Sequence, residues 1–446
     1  MADNLINAEI LSISAAGAKK DLTARYEAVL HLSNTDLYIP IVESVDIIRD
    51  YNVNQFDYVT ISFLLPLGDI TKFVYPEKDS LEITLINHTL GAIIRTRYDF
   101  VMTKIDEHIK QHNYNNRKQT DLNKEFSMIT GQCVPVDIED LTNTESFGIY
   151  KDTTVSDIIL SSTNVLNNLS SNSIINNYDI NLIPVNNTRK YKQIPVSDNI
   201  NMLELPEYLQ KNFGVYNGHI GSYFQFFDNS KTFFVYPLFR NDLFLHSDNT
   251  LQVTLTNKSE LQLLDSTYAY SGKTLKILCS KLNKIDDVGE SDIKNYGTNL
   301  NITDTTSINK RPITVDKNNV KAENTQVKRI MTHKVPKNNK VKRASSVSTS
   351  NNYEERSKVL KNDFRKMMVE WRISNARLLY PYMGITVIIE EDGYINTYVG
   401  MLTGVHIVTD NISKTEVSVL SLLISIDPIK SNIIESNKSV SNTDLF

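Results

Sequence analysis

The sequence predicts a mainly β, multidomain protein with α+β insertions and a long polar arm, and three observations carry that expectation. The first is alternation. Tyr58, Thr60, Ser62 and Leu64 interleave with Val59, Ile61, Phe63 and Leu65, and Leu81, Ile83 and Leu85 interleave with Glu82, Thr84 and Ile86. That is the period-two signature of strands with two unlike faces. The second is length, because 446 residues exceed one ordinary core and suit three or four small domains. The third is a gap: no Phe, Tyr or Trp lies between Tyr296 and Tyr353. A stretch of Asn, Thr, Ser and Lys buries little apolar surface of its own, so it reads as an extended linker or arm.

Taken in order, residues 1–110 read as a first β domain with strands at 26–32 and 39–48. Gly68 and Asp69 start a short helix whose face is Ile70, Phe73 and Val74, and Pro76 ends it. An extended or mixed element at 100–112 leads into a polar connection at 111–121. Residues 111–220 read as an α+β insertion. It holds an apolar element ending at Val134, Pro135 and Val136, then an amphipathic helix over 154–169 with a Thr or Ser cap. A second helix over 201–213 is expected to be interrupted at Pro206.

Residues 221–295 are β-rich: a hairpin pairs 223–227 with 232–236, and further strands lie at 250–255 and 274–278. Residues 296–352 are the basic, low-aromatic arm. Residues 353–426 read as a helix to about 374, with Val359, Leu360, Phe364, Met367, Met368 and Trp371 on its apolar face, followed by strands at 384–390, 396–402, 404–409 and 416–424. Residues 427–446 form a polar, peripheral tail. The tetrapeptide FVYP occurs at 73–76 and 234–237, each time followed by an L-x-[I/V]-T-L strand. The spacings differ by nine residues, which favours chance or similar local folding over a true repeat.

Composition narrows the function classes. With 41% hydrophobic and 22% charged residues and a net charge of −5, the chain as a whole makes no electrostatic case for nucleic acid or anionic membrane. The opening MADNLINAEILSISAAGAKKDL has no basic start followed by a sustained apolar stretch, so export by a signal peptide is not expected. Apolar runs at 383–389 and 417–424 are too short to span a bilayer as helices. Cys133 and Cys279 stand 146 residues apart without metal-ligand spacing, and both are expected to be reduced and structural.

Motifs that carry chemistry do not form. SGKTL at 271–275 has Thr267 where a phosphate-binding loop needs its first Gly, so it reads as a turn before a strand. The eight histidines show no HExxH, and His108 and His112 have no intervening Glu in the right place. Glu390, Glu391 and Asp392 before Gly393 are hairpin-turn chemistry. No catalytic, cofactor-binding or metal residue is assigned, and the chain is expected not to be an enzyme. From Lys310 to Arg343 eleven Lys or Arg face only Asp316 and Glu323. A solvated linker is the favoured reading, with ordering against an acidic neighbouring subunit second; bases would find no aromatic platform there.

Several barrel-like domains, VDIIRDY at 45–51, FVYP, LPEYLQKNFGVYNGHIGSYFQ from Leu205 and a closing barrel together resemble the central hub proteins of bacteriophage tail baseplates, from contractile-tailed phages. The resemblance covers the chain from about Leu5 to Ile424. It implies two tail-tube-like barrels per subunit, the first from Leu5 to about Leu90 and the second from Tyr382 to about Ile426 with pieces from 223–278. It further implies a homotrimer giving six barrels in a ring, which joins a six-fold tail tube to a three-fold spike and leaves a channel for the genome. The implied partners are the central spike, the tail tube or a tube-initiator protein, baseplate wedge proteins and a tape measure protein. DNA is met only in transit and membrane not stably. The implied location is the virion tail, after synthesis in the host cytoplasm. The basic arm departs from the family pattern. The alternatives are a peripheral wedge or receptor-binding tail protein, or a cell-envelope-degrading baseplate enzyme.

Overall fold

The computed structural model describes residues 10–15, 25–32, 35–39, 41–66, 81–89, 92–106, 126–169, 178–216, 219–227, 230–238, 250–261, 264, 266–286, 298–304, 312–315, 327–333, 341–343, 364–391, 394–410, 415–425 and 429–431. After a short helix α1 over residues 10–15, the first barrel comprises β1 (Arg25–His31), β2 (Asp36–Ile39), β3 (Val42–Asp50), β4 (Tyr58–Pro66), β5 (Leu81–Thr89), β6 (Ala92–Asp106) and β7 (Phe126–Pro135). The alternation in β4 acts as expected: Val59, Ile61, Phe63 and Leu65 are fully buried while their neighbours are half-exposed.

β2 ends at Ile39 and β3 starts at Val42, and just before β3 the Leu64 N–H donates to the Ile41 carbonyl at 3.0 Å, so the two are counted as one position in the wall, β2/β3. β1 pairs with β2, and β4 pairs with β3. The ring therefore runs β1, β2/β3, β4, β7, β6, β5 and back to β1, antiparallel throughout. β7 comes from the span read as insertion, so the first barrel extends past residue 110. Without it the facing edges of β4 and β6 would stand open in the middle of the wall. The helix expected between Gly68 and Pro76 lies outside the described residues.

The insertion holds α2 (Asp137–Asn143), β8 (Gly148–Thr153), α3 (Val155–Leu169), β9 (Tyr178–Leu182), β10 (Tyr191–Val196), α4 (Leu205–Asn212), β11 (Ile220–Phe227) and β12 (Ser230–Pro237). α3 starts as its cap predicts. The Asp157 N–H donates to Thr154 Oγ1 at 3.2 Å and the Thr154 N–H to Asp157 Oδ2 at 3.1 Å, a reciprocal capping box. Pro206 does not interrupt a helix. It sits in the first turn of α4, where its missing N–H costs no intrahelical bond. The hairpin β11–β12 pairs Tyr223 with Phe234, β9 adds in parallel to β12, and Phe224 stacks on Phe233 in this unit's own core.

The second barrel draws on β13 (Thr250–Leu255), β14 (Tyr268–Ser271), β15 (Thr274–Asp286), β20 (Phe364–Arg372), β21 (Gly384–Glu391), β22 (Tyr394–Asp410) and β23 (Thr415–Ser425). α5 (Lys258–Leu261) follows β13, and β24 (Ile429–Ser431) adds to β22. α1 lies against this barrel, with Ile10 and Ile13 packing on Leu261, Ala269 and Leu278. Gly272, at φ +61°, turns the chain from β14 into β15, so SGKTL is a hairpin corner. The ring runs β13, β15, β20, β23, β22, β21 and back to β13.

Numbered by chain order, both barrels place their strands round the ring as first, second, third, sixth, fifth, fourth. They differ in one respect: β1 is antiparallel to both neighbours, and β13 is parallel to both. The FVYP echo is not this repeat. β5 is a fourth strand and β13 a first, and the FVYP at 234–237 ends strand β12 rather than a helix.

Two further expectations are corrected. Residues 364–372 are strand β20, not helix, with Met367, Val369 and Trp371 alternating into the core. β15 and β23 offer that segment two edges to pair with, which outweighs helix propensity. Residues 353–363, with the expected helical Val359 and Leu360, lie outside the described set. The arm is not a plain linker either. β16 (Thr298–Asp304), β17 (Pro312–Val315), β18 (Val327–His333) and β19 (Val341–Arg343) form an antiparallel sheet in the order β17, β16, β18, β19. Main-chain pairing needs no aromatic residues, and β-branched Ile302, Ile313, Val315 and Ile330 suit it.

Candidate functional site: the joint between the barrels

One sheet runs through both barrels because β3 of the first pairs antiparallel with β22 of the second, from Gly404 opposite Asp50 to Asp410 opposite Ser44. β22 reaches that far by outrunning its neighbour. β21 pairs with it only as far as Met401, and after a bulge between Leu402 and Gly404 the vacated edge passes to β3. The strands meet closely there: a Cβ on Gly404 would lie 2.8 Å from the Arg49 carbonyl oxygen. The Tyr51 N–H donates to the Thr403 carbonyl at 3.0 Å.

Beneath the joint lies a buried polar network. Arg49 forks onto Asp57, Nε to Oδ1 at 3.1 Å and Nη2 to Oδ2 at 3.0 Å, and the Tyr223 hydroxyl donates to Asp57 Oδ1 at 2.6 Å. Arg49 Nη1 also donates to the Ala376 carbonyl at 3.3 Å, whose own N–H donates to Glu416 Oε1 at 2.9 Å. Tyr236 donates to the Tyr51 carbonyl, and Gln225 Nε2 to the Leu379 carbonyl. The network therefore ties β3, the insertion's hairpin, the 374–379 segment and β23 into one unit. Tyr236 stacks on Tyr382 and Phe234 on Tyr380 beside it, which is where the hairpin's aromatics find their partner surface.

Its electrostatics are those of a clasp. Burial opposes the Arg49 charge, but Asp57 and the adjoining tyrosines more than offset it, so the guanidinium pKa is raised. Burial raises the Glu416 pKa, partly countered by the Ala376 N–H and the Ser374 hydroxyl. Burial, then the Asp57 charge, drives Tyr223 well above the usual phenol range. A cleft of ≈ 60 Å³ opens beside these groups, lined among others by Tyr26, Asn87, Tyr98 and Arg377. Its Arg49 is committed to Asp57, and its Glu416 to Ser374 and Ala376.

Away from the core, the joint carries a face that crosses five neighbouring strands, β7, β4, β3, β22 and β23. Thr130, Thr60, Ser62, Asp46, Ile48, His406, Val408, Val417 and Val419 are half-exposed or exposed on it, and none of these is Lys or Arg. Ser62 and Thr130 share a hydroxyl hydrogen bond at 3.0 Å, and His406 Nε2 lies 2.6 Å from Asp46 Oδ1.

His31 lies 2.8 Å from both Asp36 Oδ1 and Thr84 Oγ1, a relay-like row that sequence reasoning missed because its members meet only through strand pairing. These groups are neighbours on one sheet face, and the Asp36 side chain is 67% exposed, which makes them a surface ladder. Cys133 and Cys279 are free and buried. Burial pushes the Cys133 thiol up to about 12, away from nucleophilic character. Trp371 and Met367 are core residues. Among the described residues no His, Cys, Asp and Glu group is placed to hold a metal, and no helix is long and apolar enough to cross a membrane.

No family profile and no curated protein matches this sequence. Solved structures do resemble it. A tail protein from Neisseria meningitidis MC58 is 9% identical, with 90% of this chain and 96% of that one covered at a TM-score of 0.44. The 43 kDa tail protein of prophage MuSo2 from Shewanella oneidensis is 11% identical, with 90% and 99% covered at 0.41. The E. coli c3393 protein, a type VI secretion component similar to the T4 tail proteins gp27 and gp5, is 11% identical, with 91% and 80% covered at 0.40. The proteins this chain is similar to in structure are thus phage-type tail proteins and a type VI secretion component.

Proposed function

We propose that this chain is a structural protein of a phage tail baseplate, a trimeric hub that joins a six-fold tube to a three-fold spike and lines the channel for DNA. The observation that carries the reading is the pair of six-stranded barrels with matching ring order, held edge to edge within one chain. A three-fold assembly of such chains presents six similar barrels to a six-fold tube, which resolves the mismatch by geometry rather than chemistry. The five-strand face at the joint is the surface assigned to the channel. The residues named on it include no Lys or Arg for phosphates to bind, and His406 is engaged by Asp46, so DNA would slide past rather than stick.

The clasp around Arg49 and Asp57 supports a mechanical role, since it locks the two barrels and the insertion into one angle. Spike, tube, wedge and tape measure proteins are the partners this reading requires, and no turnover is assigned to the chain. Electron cryomicroscopy of purified particles with symmetry analysis tests it. Three copies on the tail axis are expected, and six or more peripheral copies would overturn it.

A further inference from the structure

We infer that the segment 373–382, which links β20 to β21, is a sprung latch between the second barrel and the insertion. Closed in this structure, it stores backbone strain at both ends. Its release lets the insertion move with the first barrel while the second barrel stays behind. The inference concerns one chain by itself and does not depend on the hub reading.

Strain is the first observation. Among the described residues three other than glycine have positive φ, and two of them bracket this segment: Ile373 at +53° and Tyr382 at +58°. A β-branched residue is a genuine outlier there, because its Cβ substituents crowd the backbone. Such conformations persist where the surroundings over-determine them. At the first end, Thr267 Oγ1 lies 3.0 and 3.2 Å from the Arg372 and Ile373 carbonyl oxygens, and the Ser374 N–H donates to the Glu416 carbonyl at 3.1 Å. The Ser374 hydroxyl and the Ala376 N–H both donate to Glu416 Oε1. At the far end the Leu402 N–H donates to the Met383 carbonyl at 2.9 Å.

The second observation is a pair of buried acceptors without a hydrogen-bond partner, Asn375 Oδ1 and Gln225 Oε1. Asn375 belongs to the segment, and Gln225 is the hairpin residue that grips it, through Nε2 to the Leu379 carbonyl at 3.1 Å. A buried acceptor left unpaired carries its full desolvation cost. Opening this contact to water removes that cost at both residues.

The third observation is how the insertion's ties divide. It holds the first barrel by the 51–57 turn: the Phe224 N–H donates to the Gln55 carbonyl at 2.7 Å, Gln55 Nε2 to the Leu203 carbonyl at 3.1 Å, and the Tyr223 and Tyr236 hydroxyls to Asp57 and the Tyr51 carbonyl. It meets the second barrel at the latch, through Gln225 and the stacked pairs Tyr236–Tyr382 and Phe234–Tyr380. Opening the latch therefore breaks one set of ties and spares the other. Arg49 would give up its 3.3 Å bond to the Ala376 carbonyl and keep both bonds to Asp57, and the β3–β22 pairing would stand.

Hydrogen exchange on the full-length chain tests this. Ile373→Asn places a residue that tolerates positive φ at the strained position, and amides of Ser374, Ala376, Leu378 and Leu379 should then exchange roughly fivefold or more slowly than in the parent. Ile373→Gly is the second variant should the first fold poorly, with the same direction expected. Tyr380→Ala removes the Phe234 stack and should speed exchange at those amides roughly threefold or more, with the barrel strands 59–65 and 385–389 unchanged. In that loosened chain, spin labels on Lys192→Cys and Glu390→Cys, both exposed positions, should report a second distance that Ile373→Asn suppresses. Labels on Lys192→Cys and Val101→Cys, across the insertion and the first barrel, should report one. Unchanged or faster exchange at 374–379 in both Ile373 variants overturns the stored strain. Acceleration of the barrel strands together with the segment in Tyr380→Ala, or a single distance between positions 192 and 390, overturns the latch.

Discussion

The first barrel is wound from strands that follow one another between residues 25 and 135, whereas the second gathers its strands from 250 to 425 and admits a four-stranded sheet between its second and third. Yet the ring order is the same. Where they differ, at the reversed first strand β13, the difference touches neither the second nor the fifth position, the two places that form the joint. Constraint falls on the edges presented to a neighbour. The first strand closes the wall and is tolerated in either direction, since parallel and antiparallel pairs both satisfy the backbone.

If the barrels are equivalent walls around one continuous core, truncating the matching third strands should cost alike. Trp371→Ala in β20 and Phe63→Ala in β4 remove fully buried rings, each worth about 3–5 kcal/mol by urea denaturation. Trp371→Ala should lie at the upper end, because it also removes the indole N–H that donates to Thr267 Oγ1 at 3.0 Å, leaving that hydroxyl only its bonds to the Arg372 and Ile373 carbonyls. A much cheaper Phe63→Ala would mean that the first barrel is the softer of the two.

The joint is the next point of attack. Asp57→Asn leaves the buried Arg49 charge without its carboxylate and should cost about 3 kcal/mol or more. The loss should appear in exchange protection of the β3–β22 segment before that of either barrel wall. Gly400→Ala, where a Cβ would stand 1.8 Å from the Leu423 carbonyl oxygen, should cost about 1–3 kcal/mol through displaced backbone. That loss falls within the second barrel and so discriminates the two sites.

Glu416 supplies a pH test. Its folded pKa is raised, so the stability it contributes is complete below the ordinary glutamate range and is lost as pH rises through the raised value. Glu416→Gln should remove that dependence, and its stability relative to the parent chain should climb from acid toward neutral pH in parallel denaturation curves. The smallest effect is expected at Asp46→Asn. It removes the half-exposed partner of His406 and should shift stability by less than about 1 kcal/mol; a larger shift would mean that the joint depends on its surface pair.

Much of the wall was legible before the structure. The β4 alternation, the β11–β12 hairpin, the Thr154 cap and the corner at Gly272 are local devices, each contained within a few residues. The candidate site was almost entirely illegible. Arg49 and Asp57 are eight residues apart, but Tyr223, Ala376 and Glu416 come from 166 to 367 positions beyond them, and no local pattern marks residues that meet only after both rings close. The relay-like row at His31 was hidden for the same reason.

By itself the sequence determined which segments alternate, where chains turn, that the chain is mainly β, and that the chemistry-bearing motifs sought are not there. Tertiary structure alone decided that residues 364–372 extend instead of coil, that β7 belongs to the first barrel, that the polar arm pairs into a sheet, and that the repeat lies in ring order rather than in FVYP. The physical reason is common to all four. A strand is completed by hydrogen bonds to partners far away in sequence, so the availability of an open edge, not local propensity, chooses its partner and often its conformation.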